Sequence, residues 1–498
     1  MSTFTPDNQN TVRDIVDIKN RIQVTENADL IDLTSDDERS DPTRSGGTYS
    51  NEVISISDSE RGSPGNASKK PTMVTPEELA EILEKHSITG DPREARMEPA
   101  SKFVRAYLIK NEPKFVRVME YRNRGWIENK EKGDAHFKAQ RAKADQADHS
   151  GAERFYIMMQ QIAKEMHMVT GALEPRQQEE QLKCLDICMA PGGYTAAVLE
   201  RHPNAKCFGI TLPTKQGGHP LYVSTNVLAG LKQFDVTMLA NEYSTGAIPR
   251  NHPAYSEFIH LRPFNHYKFD LIFCDGMVLR TQERPSYREQ VEVTRLACSQ
   301  MILALQRIAA GGTIVMLLHK IDSFQAAFIL YTFSKFAEVD SFKPARKHGS
   351  RSSFYMVAKN VKPQSTAAIS AIVEWKSSWW QATFGGEDGT GERKEDPPES
   401  VVRQMLEEYG ERLIEMGRPV WRIQADNLSR TDYAGDGSAQ VFQDRRASLG
   451  SSHERTPRTP ISGKNFDWGR ARKENVAPVS PLAMKMSDMD GSPSMSGD

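Results

Sequence analysis

The stretch CLDICMAPGGYTAAVLERHPNAKCFGITLP, from Cys184 to Pro213, constrains this chain more than any other. A short apolar run breaks at Pro191, Gly192 and Gly193. A helical stretch follows, and a second apolar run returns. The order is strand, glycine turn, helix, strand. Further runs of the same kind are FDVTML, FDLIFCD and GGTIVMLL, with SSFYMVAKN as the last. Their length and apolar content suit buried parallel strands. Helical stretches separate them, notably REQVEVTRLACSQMILALQRIAA, which is expected to end at Gly311-Gly312. The pattern predicts an α/β, Rossmann-like doubly wound sheet over residues 151–362.

In such a sheet the ligand lies beyond the carboxyl ends of the strands. The loop after the first strand reads MAPGGY. Gly192 and Gly193 lack a Cβ, so the backbone can turn sharply and a ligand can approach it closely. Asp186, within the strand, is placed to fix the loop or to meet the ligand. The stretch has neither the GxxxxGK[ST] of a phosphate loop nor a full GxGxxG, which disfavours ATP and NAD. A glycine pair after a strand also serves as a purely structural turn.

Around this unit the composition changes. Charged residues make up 26% of the 498 and hydrophobic ones 38%, so part of the chain is poor in core. Residues 1–73 and those from 431 to 498 are rich in small polar residues and are expected to be disordered tails. Order is expected to begin at VTPEELAEILEKH, where Thr75, Pro76 and Glu78 form a helix start with a capping box. Residues 74–150 read as a basic helical region carrying Lys102, Arg105, Lys110, Lys114, Arg117, Arg122 and Arg124. A solvated helix face explains them, and a phosphate-contacting surface is the functional alternative. Residues 363–430 hold two further helices. In the second, Val402, Met405, Leu406, Tyr409 and Leu413 share a face, and Gly417 and Pro419 mark its end.

The net charge of −2 gives no global sign of nucleic acid or membrane. The five cysteines lack zinc-ligand spacing, so no metal is expected, and Cys184 and Cys188 read as buried reduced thiols. No apolar run is long enough to span a bilayer. A soluble, nuclear or cytoplasmic protein is expected, with the nucleus favoured.

LDICMAPGGYTAAVLE resembles the first motif of the FtsJ-like methyltransferases, and within them the eukaryotic messenger-RNA cap ribose 2′-O-methyltransferases come nearest. CFGITLP is similar to that family's second strand, FDVT to the segment whose aspartate meets adenine, and FDLIFCDG to its fourth motif. The resemblance covers roughly residues 150–362. It implies a class I methyltransferase fold and S-adenosyl-L-methionine as cofactor. The implied cofactor contacts are Asp186, Ala190, Pro191, Gly192, Gly193, Tyr194, Thr211, Leu212, Asp235 and Asp275.

The same resemblance implies a Lys-Asp-Lys-Glu catalytic tetrad. Asp275 stands at the aspartate position. Leu317 falls where the central lysine belongs, with Lys320 the nearest lysine and His319 beside it a second candidate base. Ser353 falls on the glutamate position, and Lys164 is the candidate for the first lysine, about one residue out of register. An odd shift along a strand turns a side chain to the other face, so Lys320 serves only if it lies past the strand end, and the structural alternative is that His319 and Lys320 simply cap an exposed strand end. Two readings follow. One is an S-adenosylmethionine-dependent RNA methyltransferase, ribose 2′-O in type, with Asp275, Lys320 and Lys164 as catalytic residues. The alternative is a catalytically inactive module of the same fold that binds RNA or protein. The intact glycine loop, Asp235 and Asp275 favour the first, and Leu317 and Ser353 favour the second.

In the amino-terminal tail, LIDLTSDDE and VISISDSE resemble SUMO-interaction motifs through Ile31–Leu33 and Val53–Ile56, which implies SUMO or sumoylated partners. In the other tail, RRAS resembles a kinase site and KEN a degradation box, and Thr456, Thr459, Ser480 and Ser492 each precede proline.

Overall fold

The computed structural model describes residues 70–86, 97–145, 149–174, 181–279 and 282–435. The SUMO-type, kinase-type and degradation-type motifs lie outside the described residues. So does nearly all of both expected tails.

A seven-stranded sheet runs β3-β2-β1-β4-β5-β7-β6. The strands are β1 (Lys183–Ile187), β2 (Lys206–Thr211), β3 (Gly230–Gln233), β4 (Phe269–Cys274), β5 (Ile308–His319), β6 (Glu338–Phe342) and β7 (Ser353–Lys359). The first five pair in parallel, while β7 enters antiparallel between β5 and β6. The chain winds outward from β1 to β3 and then in the other direction from β4. The crevice therefore opens between the tips of β1 and β4. This is the doubly wound sheet expected from the apolar runs.

Four details differ from expectation. FDVTML is not a strand: Asp235 accepts hydrogen bonds from the Thr237 backbone N–H and hydroxyl, so the chain turns into a 3₁₀ helix, Val236–Met238. The long helix ends at Arg307, and Ile308 already belongs to β5, ahead of the glycine pair. The last helix runs through Gly417 and Pro419 to Leu428, because Val420, Trp421, Gln424, Ala425 and Leu428 stay buried beyond them. Tyr433 and Ala434, assigned to the tail, are buried as well, and Gly125 lies against their side chains.

The helices are α1 (Pro76–His86), α2 (Pro99–Asn111), α3 (Pro113–Asn123), α4 (Lys130–Asp145), α5 (His149–Thr170), α6 (Gly193–Arg201), α7 (Glu292–Arg307), α8 (Phe324–Ser334), α9 (Thr366–Phe384) and α10 (Glu399–Leu428), besides single turns. Helix α1 starts with the capping box read from the sequence. Thr75 N–H donates to Glu78 Oε2 at 2.9 Å and Glu78 N–H to Thr75 Oγ1 at 3.2 Å. Helices α5 and α6 cover one face of the sheet, meeting Cys184, Leu271, Phe273, Val315, Leu317, Tyr355 and Val357. The opposite face packs with α7, α8 and α9 into a core that also holds α2, α3 and α10.

The basic residues of 99–124 do not form one surface. Arg105 and Arg122 are buried and both pair with Asp322, at 3.5 and 3.1 Å. Lys110 pairs with Glu78 at 2.7 Å, while Arg117 is more than half exposed. Amphipathic periodicity cannot distinguish these fates, because the partners lie in distant segments. Among the described residues, no helix is long and apolar enough to cross a membrane.

Candidate functional site

Strand alternation brings the chemistry to one face. Cys184 on β1 packs with the α5–α6 side, so Asp186, two residues on, faces the same way. Leu271 and Phe273 do this for β4, which directs Asp275 to that side. Val315 and Leu317 do it for β5, and Tyr355 and Val357 for β7. By the same parity His319 and Ser353 belong to this face, and they are register partners across β5 and β7. Leu317 pairs likewise with Tyr355. Cys274 pairs with Met316, so Asp275 falls one step further, beside Leu317.

The glycine turn is built by close approach. Cys188 has φ +66°, Ala190–Pro191 is cis and Gly192 has φ +97°. A Cβ on Gly192 would stand 2.4 Å from Val223 Cγ1. One on Gly193 would stand 2.5 Å from the Tyr156 carbonyl oxygen and from Met159 Cβ. Only glycine fits either position. The segment after β2 closes over the turn, with Tyr222 N–H bonded to Pro191 O at 3.0 Å. Thr211, at the end of β2, is buried, and Leu212 is half-buried. Tyr194 is buried, and its hydroxyl lies 2.6 Å from that of Tyr355.

Asp186 accepts a hydrogen bond from Thr195 Oγ1 at 2.7 Å, which ties the first turn of α6 to β1. Its Oδ1 is buried without a partner, as is Oδ1 of Asp275. Burial pushes the Asp186 carboxyl up to about 7, with the Thr195 hydrogen bond opposing. Burial pushes Asp275 well above the usual carboxylate range, and the Asp186 charge adds to this. Unpaired buried oxygens are costly, so this pair calls for a ligand with positive charge or N–H donors. The backbone after Asp275 is held by Gln300, which accepts from Gly276 N–H at 2.8 Å and donates to Gly276 O at 3.1 Å.

Asp235 is differently placed. Its Oδ1 accepts from Thr237 twice, and its Oδ2 from Arg288 Nη2 at 2.8 Å and Gln282 Nε2 at 3.3 Å. Despite burial, the Arg288 and Arg295 guanidiniums and the Thr237 hydrogen bond hold the carboxyl below its ordinary value. Its acceptor positions are filled by the chain itself.

The structure separates the candidate lysines. Lys164 is not brought to Asp275. Its Nζ pairs with Glu200 at 2.8 Å, near the carboxyl end of α6 and about 10 Å along that helix from the glycine turn. The α5 residues beside the turn are instead Tyr156, Met159 and Gln160. Met158 and Met159 fill the cluster that holds Leu317 and Tyr355. Lys320 lies one residue past β5, as the sequence condition required, in a left-handed turn with φ +52°. Its N–H bonds to Ser352 O at 2.9 Å. His319 is held neutral, far below its ordinary range, first by burial and then by the charges of Lys320 and Arg122. Lys343 is structural: its ammonium donates to the carbonyls of His348, Arg351 and Ser353 at 2.7–3.0 Å.

Sequence reasoning missed Val223, Gln300 and Arg288. Val223 lies in an irregular loop, Arg288 in a single helical turn and Gln300 in a long helix, and only its contact gives each a role. Gly209 offered a signal, since a glycine inside a strand marks close approach. A Cβ there would stand 2.1 Å from Met189 Sδ.

Residues 159–361 match a family model described as FtsJ-like methyltransferase. No curated protein matches the chain. Among solved structures, one titled as a ribosomal RNA methyltransferase from Plasmodium falciparum is 20% identical. It covers 41% of this chain and 96% of its own, with a TM-score of 0.27. An rRNA methylase from Streptococcus thermophilus is 11% identical, covering 40% and 96% at a TM-score of 0.22. TrmN from Thermus thermophilus is 11% identical, covering 40% and 48% at 0.24.

Proposed function

We propose that this chain, which carries an FtsJ-like methyltransferase domain at residues 159–361, methylates a ribose 2′-hydroxyl of RNA, of cap or ribosomal type, with S-adenosylmethionine as donor. The observation that carries the reading is the pair of buried, unpartnered Oδ1 atoms on Asp186 and Asp275 beside a turn that admits no Cβ. S-Adenosylmethionine fits this donor set, because its sulfonium and ammonium groups would satisfy both carboxylates and draw off their protons. When bound, it supplies an already activated methyl group.

The work left to the protein is to orient the acceptor and to take one proton. Asp275 holds positive charge at the β4 tip. The glycine turn and Tyr222 fix the floor and wall. On β5 the group we assign to the proton is Lys320, on the turn just past the strand, with His319 beside it on the face shared with Asp186 and Asp275 but too weakly basic where it is buried to hold the proton. Leu317 makes the place beside Asp275 apolar, so no lysine lowers the barrier from there.

That apolar substitution also favours a second reading, a module of the same fold that binds RNA or protein without turnover. Calorimetric titration of the full chain with S-adenosylmethionine, paired with labelled methyl transfer to capped and uncapped RNA and to 2′-deoxy controls, separates the two. Binding with transfer only to 2′-hydroxyl acceptors supports the enzyme. Binding without transfer to any acceptor supports the module. Absence of binding removes the cofactor assignment altogether.

A further inference from the structure

Helices outside the matched segment reach into the rim of this site. Arg122, on α3, places Nη1 3.1 Å from both oxygens of Asp322, two residues past Lys320. Its Nη2 donates to Gln424 Oε1, on α10, at 2.9 Å. Gln424 Nε2 in turn donates to Ser350 O and Ser352 Oγ, both at 3.1 Å. Asn427, one turn along α10, donates to Ala345 O at 3.2 Å. The chain of contacts thus runs from the β5 turn through α3 and α10 to the loop that enters β7. That loop is also bonded to the β5 turn by Lys320 N–H to Ser352 O. The two segments so joined are those that carry His319 and Lys320 on one side and Ser353 on the other.

Asp322, Arg122 and Gln424 are almost wholly buried. A buried ion pair is weak evidence of stabilisation, since apolar residues of similar volume often hold helices as well. What it does supply is a single allowed geometry, and here the geometry fixed is that of the acceptor side of the crevice.

We infer that Arg122 and Gln424, from helices on either side of the matched domain, are positioning residues for the rim that presents His319 and Lys320. This rests on the proposed function. It predicts that the segment 159–361 does not hold its own rim in place without α3 and α10.

The test uses the full chain with Gln424→Glu and Arg122→Lys. The glutamate still accepts from Arg122 but cannot donate to Ser350 O. The lysine keeps the charge facing Asp322 but lacks the fork that reaches Gln424. Both variants are expected to keep wild-type affinity for S-adenosylmethionine. Turnover is expected to fall about 10- to 100-fold in kcat, with KM for RNA little changed. Amide hydrogen exchange at Lys320 and Ser323 is expected to quicken by about tenfold, while β1 and β4 amides stay as they were.

Unchanged kcat in the folded variants would overturn the inference, and so would a change confined to KM for RNA. If the wild type proves to transfer no methyl group, the proposed function fails separately, and hydrogen exchange still decides the positioning claim: unchanged exchange at Lys320 and Ser323 refutes it. If either variant unfolds, Gln424→Met, which removes only the side-chain hydrogen bonds, gives the same readouts.

Discussion

Asp186 and Asp275 bring two carboxylates to neighbouring strand tips on one face of the sheet, and in each the Oδ1 is buried without a hydrogen-bond partner. Burial is the main cause of both upward shifts. An unfolded aspartate ionises near pH 3.8, whereas folded Asp186 does so at about 7. Between these values the folded state holds the extra proton. Its contribution to stability is therefore complete below pH 4 and is lost as pH rises to 7, by on the order of a few kcal/mol. Asp186→Asn is expected to flatten this part of the profile. Thermal unfolding of both proteins from pH 4.5 to 8 measures the difference. Glu98 and Glu374, each also pushed up to about 7, contribute equally to wild type and variant.

Binding a cation to this pair must release protons at neutral pH. Titration with S-adenosylmethionine in two buffers of different ionisation enthalpy is expected to show proton release at pH 6.5 and less at pH 8. The uncharged-sulfur product should release fewer. Equal heats in the two buffers at pH 6.5 would mean that the carboxylates do not meet the ligand's charge.

Gly192→Ala is expected to cost about 1–3 kcal/mol, because an L side chain is strained at φ +97° and its Cβ meets Val223. Cofactor binding should weaken beyond what the stability loss explains. Urea unfolding and calorimetry on the same preparation separate the two effects.

Leu317→Lys places an amine one strand over from Asp275, where the chain is now apolar. The new ammonium and the carboxylate offset each other's burial. Single-turnover methyl transfer is expected to rise by roughly 10²-fold, the usual contribution of a positioned general base. A folded variant with unchanged transfer would show that the proton is not what limits the step.

Lys164→Met removes an exposed ion pair with Glu200, so less than about 1 kcal/mol of stability should be lost. Cofactor affinity and methyl transfer are expected to stay at wild-type values. A drop in either would return Lys164 to the site.

Several site features were legible because they are local. The glycine turn, Asp186 one residue before the end of β1, and Asp275 directly after β4 follow from apolar runs and the residues that break them. The position of Lys320 was conditional in the sequence, since it depended on where β5 stops. Asp235 was implied only by the resemblance of FDVT to the family's adenine-contacting segment, yet its Oδ1 is taken by Thr237 and its Oδ2 by Arg288, 53 residues away. No spacing rule announces such a partner.

By itself the sequence determined that this chain builds a doubly wound sheet with a glycine turn at its crevice, because strand length, turn chemistry and helical period are properties of neighbouring residues. Tertiary structure alone decided which lysine meets Glu200, which arginines are buried against Asp322, and that His319 pairs with Ser353 across β5 and β7. Those outcomes depend on strand register and on helices that meet across some 200 residues of chain. Contacts at that separation are chosen by the packing of the whole fold, and no single segment carries them.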